Sequence, residues 1–230
     1  MATVILLRHA RSTANNSGIL AGRTPGVSLD DTGLTQRDAL PGRLAGIPLV
    51  KLVRSPLQRC RETLSALAIE RELTPQEDER FSEVDYGDWT GQAIPKLFAE
   101  PLWKVVQQHP SAAVFPAGEG LAEVQSRAVR AIREHDAKVA AEFGDDSVWL
   151  VCSHGDVIKS VLADALGMHL DAFQRIVVEP CSVSVIRYTD TRPFVLRMND
   201  NSAAFEDLRK AMANTKAASD AVIGGSTGAP

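Results

Sequence analysis

The chain is poor in the features that mark several common classes of protein. Its 230 residues include only three cysteines, Cys60, Cys152 and Cys181, widely spaced and without a CxxC pair. That excludes a disulfide scaffold and a thiolate zinc site, and it predicts reduced thiols in a cytoplasmic protein. Long apolar runs are missing as well. Val4 to Leu7 gives way at once to Arg8-His9, so the start has neither the charged lead nor the length of a signal peptide, and no stretch suits a membrane span. Basic residues are outnumbered, 25 against 29 acidic, for a net charge of -4. Such a chain has no broad positive field for nucleic acid or an anionic membrane, and any useful positive charge must be local. Neither GxxxxGK[ST] nor GxGxxG occurs, which excludes the familiar nucleotide cradles.

What is present reads as alternating strands and helices. Hydrophobic residues make up 44% and charged residues 23%, ordinary values for a chain with a real core. Strands are expected at Thr3–Arg8, Leu49–Val53 and Val148–Cys152, with Ser182–Tyr188 and Phe194–Met198 reading as a hairpin or a pair of later strands around Thr189-Asp190-Thr191. Helical spacing covers Leu57–Ala68, Glu119–Phe143 and Asp156–Leu166, with Gly144 and Gly167 at the C-cap positions. A weaker helix, Leu34–Leu44, contains Pro41, which must kink it or sit in its first turn. The pattern predicts an α/β fold of three layers, α/β/α, around a mostly parallel central sheet. One domain is expected over residues 1–212, with 73–116 forming an irregular excursion or lid. The Ala-, Ser- and Gly-rich 213–230 reads as a tail with little to bury.

Two of the five histidines end strand candidates: His9 follows Val4-Ile5-Leu6-Leu7-Arg8, and His154 follows Trp149-Leu150-Val151-Cys152-Ser153. Ligands bind at that edge of an open α/β sheet, so the two share one crevice. A lone histidine there is as well explained as a polar strand cap; a pair in the same topological position is not. Arg8 closes the first strand and Arg59 opens the helix after the second, so both guanidinium groups reach the same edge. Arginine grips two phosphoryl oxygens at once and stays charged. Arg61, in the same turn, reads as a solvated helix charge. Gly155 lets the chain turn closely after His154, and the helix start behind it offers backbone N–H groups to an anion.

These residues resemble the histidine phosphatase superfamily, the phosphoglycerate mutase-like group. The likeness rests on Arg8-His9-Ala10 with Ser12 and Asn15, Ser55-Pro56-Leu57-Gln58-Arg59, Glu83 to Gly91, Pro116-Ala117-Gly118-Glu119 and Ser153-His154-Gly155. It implies that His9 is the nucleophile, that Arg8, Arg59, His154 and Asn15 hold the phosphoryl group, and that Glu83 is the proton donor, with no metal and no cofactor. Glu79, Asp85 and Asp88 lie close to Glu83 in sequence and compete for its role; the family motif favours Glu83. Ala10 stands where the family has glycine. Ser12 and Arg23 are secondary site candidates.

The resemblance leaves three functions to separate. A mutase must keep its phosphohistidine dry, and the family's mutases carry a basic, tyrosine-rich segment after the acid. Here Thr90 to Phe115 has no tyrosine and few basic residues, Lys104 among them, which favours phosphatase over mutase. A module that only binds a phosphorylated ligand has no need of a proton donor. The expected substrate is a small phosphorylated metabolite, a phosphopeptide being the alternative; Arg23, Trp89, Trp103 and Phe115 are expected to wall it. Self-association into a homo-oligomer is left open.

Overall fold

The computed structural model describes residues 1–202 and Gly224. Its centre is β1 (Thr3–Arg8), apolar from Val4 to Leu7 because both of its faces are covered. Val4 and Leu6 join one buried cluster, while Ile5 and Leu7 join another on the opposite side of the sheet. Period-two alternation thus feeds two cores from one strand. β1 pairs in parallel with β4 (Val148–Ser153), which pairs in parallel with β2 (Leu49–Arg54), which pairs in parallel with a two-residue β3 (Gln76–Glu77). On its other side β1 meets β5 (Val183–Arg187) antiparallel, and β5 meets β6 (Phe194–Asp200). The order is β3-β2-β4-β1-β5-β6, a mostly parallel sheet closed by the hairpin expected around Thr189.

Helices cover both faces. One face carries α2 (Asp31–Arg43) and α3 (Gln58–Glu70); the other carries α6 (Leu121–Phe143) and α7 (Gly155–Ala165), whose Val124, Ala128, Ile132, Val157 and Val161 pack against β1 and β4. Gly144 ends α6 with φ +95°, and Gly167 follows α7 at φ +66°, where Met168 N–H reaches Ala163 C=O at 2.8 Å. Both glycines end their helices at positive φ, where the sequence places C-caps.

Pro41 corrects one expectation: it lies in the last turn of α2, not the first. The helix begins three residues earlier than expected because Asp30 caps it, accepting the Gly33 N–H. Gly33 is required there, since a Cβ would stand 1.9 Å from the Arg11 carbonyl oxygen. The expected excursion holds more regular structure than its composition suggests, namely α4 (Ile94–Leu97), α5 (Pro101–Gln108) and single turns at Glu79–Phe81, Gly87–Trp89 and Pro110–Ala112. A short α1 (Thr13–Asn16) follows β1. The expected domain end at 212 and the tail 213–230, Gly224 apart, lie outside the described residues. Among the described residues no helix is long and apolar enough to cross a membrane.

Candidate active site

The register of β1 against β4 pairs Arg8 with Ser153, so the residues that follow, His9 and His154, leave the sheet side by side. Their ring centroids are 5.3 Å apart, and His9 N–H donates to Ser153 C=O at 2.9 Å. Both rings are buried. His9 Nδ1 lies 2.8 Å from its neighbour's carbonyl, Ala10 C=O. A carbonyl only accepts, so Nδ1 carries the hydrogen and Nε2 keeps its lone pair. Burial, then Arg59 and Arg8, hold His9 well below the usual histidine range, so the ring is neutral at pH 7.

Arg59 comes from the first turn of α3. Its Nη2 donates to Gly22 C=O at 2.8 Å and stands 3.1 Å from His154 Nδ1. Nδ1 therefore accepts, and the hydrogen sits on His154 Nε2, which donates to Ser55 Oγ at 2.8 Å. Burial, followed by Arg59 and His9, keeps His154 neutral too. Arg8 is wholly buried; Nη1 donates to Val178 C=O at 2.7 Å and Nη2 to Gly224 C=O at 3.1 Å. Ala10 fits its tight place, its N–H donating to Thr63 Oγ1 of α3 at 2.9 Å.

Glu83 reaches this edge from the excursion. Oε1 accepts Val84 N–H at 2.9 Å, and Oε2 stands 3.9 Å from His154 Nδ1. Burial pushes its pKa up to about 7, with the Asp156 carboxylate adding to the push and Arg59 and Arg8 opposing it. A carboxyl group poised at neutrality suits proton donation and return. Its backbone is clamped: Arg23 Nε and Arg127 Nη2 both donate to Glu83 C=O, while Glu119 accepts from both arginines. The rival carboxylates point elsewhere. Glu79 accepts from Ser82 Oγ, Asp85 from Gly87 N–H, and Asp88 is exposed.

A cleft at the sheet edge is lined by His9, Ser12, Asn15, Arg59, Glu83, Tyr86 and Gly224, with Ile19 to Gly22 and Ile94 closing it. A larger hollow of about 590 Å³ runs along α6 beside Asp164. It is a shallow surface groove, and the cleft that holds the reactive groups is the better candidate. Ser12 caps α1 and donates through Oγ to Asn15 Oδ1 at 2.8 Å; the Asn15 NH₂ is what this amide still has to offer a ligand. Gly155 is buried at the first turn of α7, behind the cleft.

Arg23 also stands 3.9 Å from Asp85. One expectation is corrected: Trp89, Trp103 and Phe115 do not wall the cleft but pack on one another, Trp89 edge-on to Phe115 at 5.4 Å and stacked with Trp103 at 6.4 Å, all buried. Sequence reasoning missed Asp156, a fully buried carboxylate that accepts Tyr86 O–H at 2.9 Å and pairs with Lys159 at 3.3 Å. Its only signal was a charged residue inside an otherwise apolar helix start. Among the described residues no group of three or more His, Cys, Asp or Glu is placed to hold a metal ion.

The fold is an α/β sandwich with two histidines side by side at one sheet edge, and the comparison with known families gives its class. Residues 4–201 match the model of the histidine phosphatase superfamily, branch 1. The chain belongs to that superfamily and is an enzyme of its phosphatase type. It is 28% identical over 202 residues to phosphoserine phosphatase 1 of Hydrogenobacter thermophilus, covering 86% of this chain and 92% of that one. Among solved structures it resembles Bacillus stearothermophilus YhfR, with a TM-score of 0.79 at 25% identity over 87% of this chain and 98% of that one. It also shares the fold of a mycobacterial glucosyl-3-phosphoglycerate phosphatase, at TM-score 0.76 and 21% identity over 86% and 98% of the two chains.

Proposed function

We propose that the protein hydrolyses a small phosphomonoester, without a metal, through a phosphohistidine on His9. The observation that carries this reading is the neutral His9 ring, its Nδ1 hydrogen committed to Ala10 C=O and its Nε2 lone pair left for the cleft. In the first step Nε2 forms a bond to phosphorus as the bond to the ester oxygen breaks, and Glu83 gives that oxygen its proton. In the second, water attacks phosphorus, its proton passes to Glu83, and the N–P bond breaks to free His9 and inorganic phosphate.

Arg8, Arg59 and the Asn15 amide surround the phosphoryl oxygens, and fixed positive charge in a buried site takes the place a divalent cation has in other phosphotransferases. His154 is neutral in the free protein; beside a phosphoryl dianion it gains a proton at Nδ1 and becomes a further donor. The relatives named for phosphoserine and for glucosyl-3-phosphoglycerate support a small phosphorylated metabolite as the substrate class. The test is phosphate release from p-nitrophenyl phosphate and a panel of metabolite phosphates in excess chelator. Turnover that survives chelator supports the reading; activity that is lost and then restored by a divalent ion rejects it.

A further inference from the structure

Gly224, from the far C-terminal end of the chain, lies in the cleft itself. Its N–H donates to Asp156 Oδ2 at 2.9 Å, and its C=O accepts from Arg8 Nη2 at 3.1 Å. Both partners are wholly buried, so the backbone N–H and C=O of one residue are matched by one buried acceptor and one buried donor. Leu20 and Tyr86 flank it: a Cβ built on Gly224 would stand 3.4 Å from Leu20 Cδ1 and 3.7 Å from Tyr86 Oη. Space alone would therefore admit a small side chain. The backbone is the constraint, since φ is +81°, a conformation glycine adopts freely and other residues resist.

Nothing in the proposed chemistry uses these two backbone groups. The Gly224 oxygen takes one arm of Arg8, the residue that the proposed mechanism gives to a phosphoryl oxygen. With Gly224 in place, free space in the cleft is about 20 Å³, room for about one water.

We propose that Gly224 is a built-in competitive ligand: Arg8, Asp156, Leu20 and Tyr86 form a subsite for the backbone of a glycine residue, and a phosphomonoester must displace it to reach Arg8. The idea rests on the phosphatase reading of the cleft. A competing internal ligand leaves only a fraction of molecules open, and apparent substrate affinity falls by that fraction. The turnover of bound substrate is untouched.

The experiment compares the full-length protein with Gly224→Pro and Gly224→Ala. Proline has no N–H for Asp156 and fixes φ near -65°, so it cannot dock; alanine keeps the N–H but resists the positive φ. For p-nitrophenyl phosphate, KM should fall about threefold or more in Gly224→Pro and by less in Gly224→Ala, with kcat unchanged. By calorimetry, inorganic phosphate should bind Gly224→Pro more tightly than the unaltered protein by the same factor. An unchanged KM and phosphate affinity would overturn the proposal, and so would a rise in KM, which would mean that this segment helps to hold substrate. Phosphate binding needs no turnover. If none of the three proteins hydrolyses the ester and phosphate still binds the proline variant more tightly, the catalytic reading fails and the internal ligand stands.

Discussion

The two halves of the cleft are held in different ways. His9, Arg8, His154 and Arg59 sit at the ends of β1 and β4 and in the first turn of α3, where strand register and helix geometry place them. Glu83 sits in an irregular segment that Tyr86, Arg23, Arg127 and Glu119 tie down through side chains. The sheet edge is set by backbone hydrogen bonds that no single substitution removes. The excursion is set by a few charged braces over a stacked aromatic base. The difference implies that the proposed nucleophile and its cations form a rigid pocket, while the proposed proton donor is an adjustable part.

That division predicts a graded set of effects. Removing the nucleophile strikes the rigid half at its centre: His9→Ala should lower kcat/KM for any phosphomonoester by about 10³-fold or more. Full activity in this variant, measured beside an intact far-UV spectrum, would dismiss His9 as the attacking group.

The adjustable half should show its loss only where a proton is needed. Glu83→Gln can still donate a hydrogen bond but cannot deliver a proton. It should slow an alkyl phosphate by about 10² to 10⁴-fold in kcat/KM and p-nitrophenyl phosphate far less, because nitrophenolate leaves without protonation. Equal losses for both esters would remove Glu83 from the acid role. The pH profile gives the same division. In the proposed mechanism Glu83 acts in its protonated form, and its carboxyl is pushed up to about 7, so kcat/KM for the alkyl ester should decline as pH rises through about 7. His9 must be neutral and is held well below the ordinary histidine range, so the acid limb should lie below pH 6.5. In Glu83→Gln the alkaline decline should vanish, and a decline that persists would assign it to another group.

The smallest effect sharpens the placement of the arginines. Arg59→Lys keeps a charge but loses the planar guanidinium that can hold two phosphoryl oxygens while Nη2 stays on Gly22 C=O and His154, so a loss of about tenfold or more is expected. Arg61→Lys, on the exposed side of the same turn, should be silent. Similar losses in both would contradict the helix register.

The same contrast explains what was legible in the sequence. Strand ends are local features: an apolar run, then a histidine, gives both the element and the edge it reaches. For that reason the pairing of His9 with His154 and the entry of Arg59 from α3 could be read directly. The excursion depends on contacts distant in sequence. Trp89, Trp103 and Phe115 looked like walls because aromatic residues in an irregular stretch carry no period, and only packing shows them to be a base. The brace that Arg23 makes could not be read because its partner, Glu119, lies 96 residues away. β3 was invisible because two residues, Gln76 and Glu77, make no apolar run. Asp156 was passed over within a helix start, and Gly224 within a stretch whose composition suggests nothing to bury.

The central claim is that phosphorus is carried on His9 between the two steps. A reaction with a ³²P-labelled phosphomonoester, quenched within milliseconds in alkali and digested, should yield a base-stable, acid-labile label on the peptide that contains His9. The same label should be absent from His9→Ala. Label on the peptide that contains His154, or a stoichiometry near zero while phosphate is being released steadily, would contradict the account.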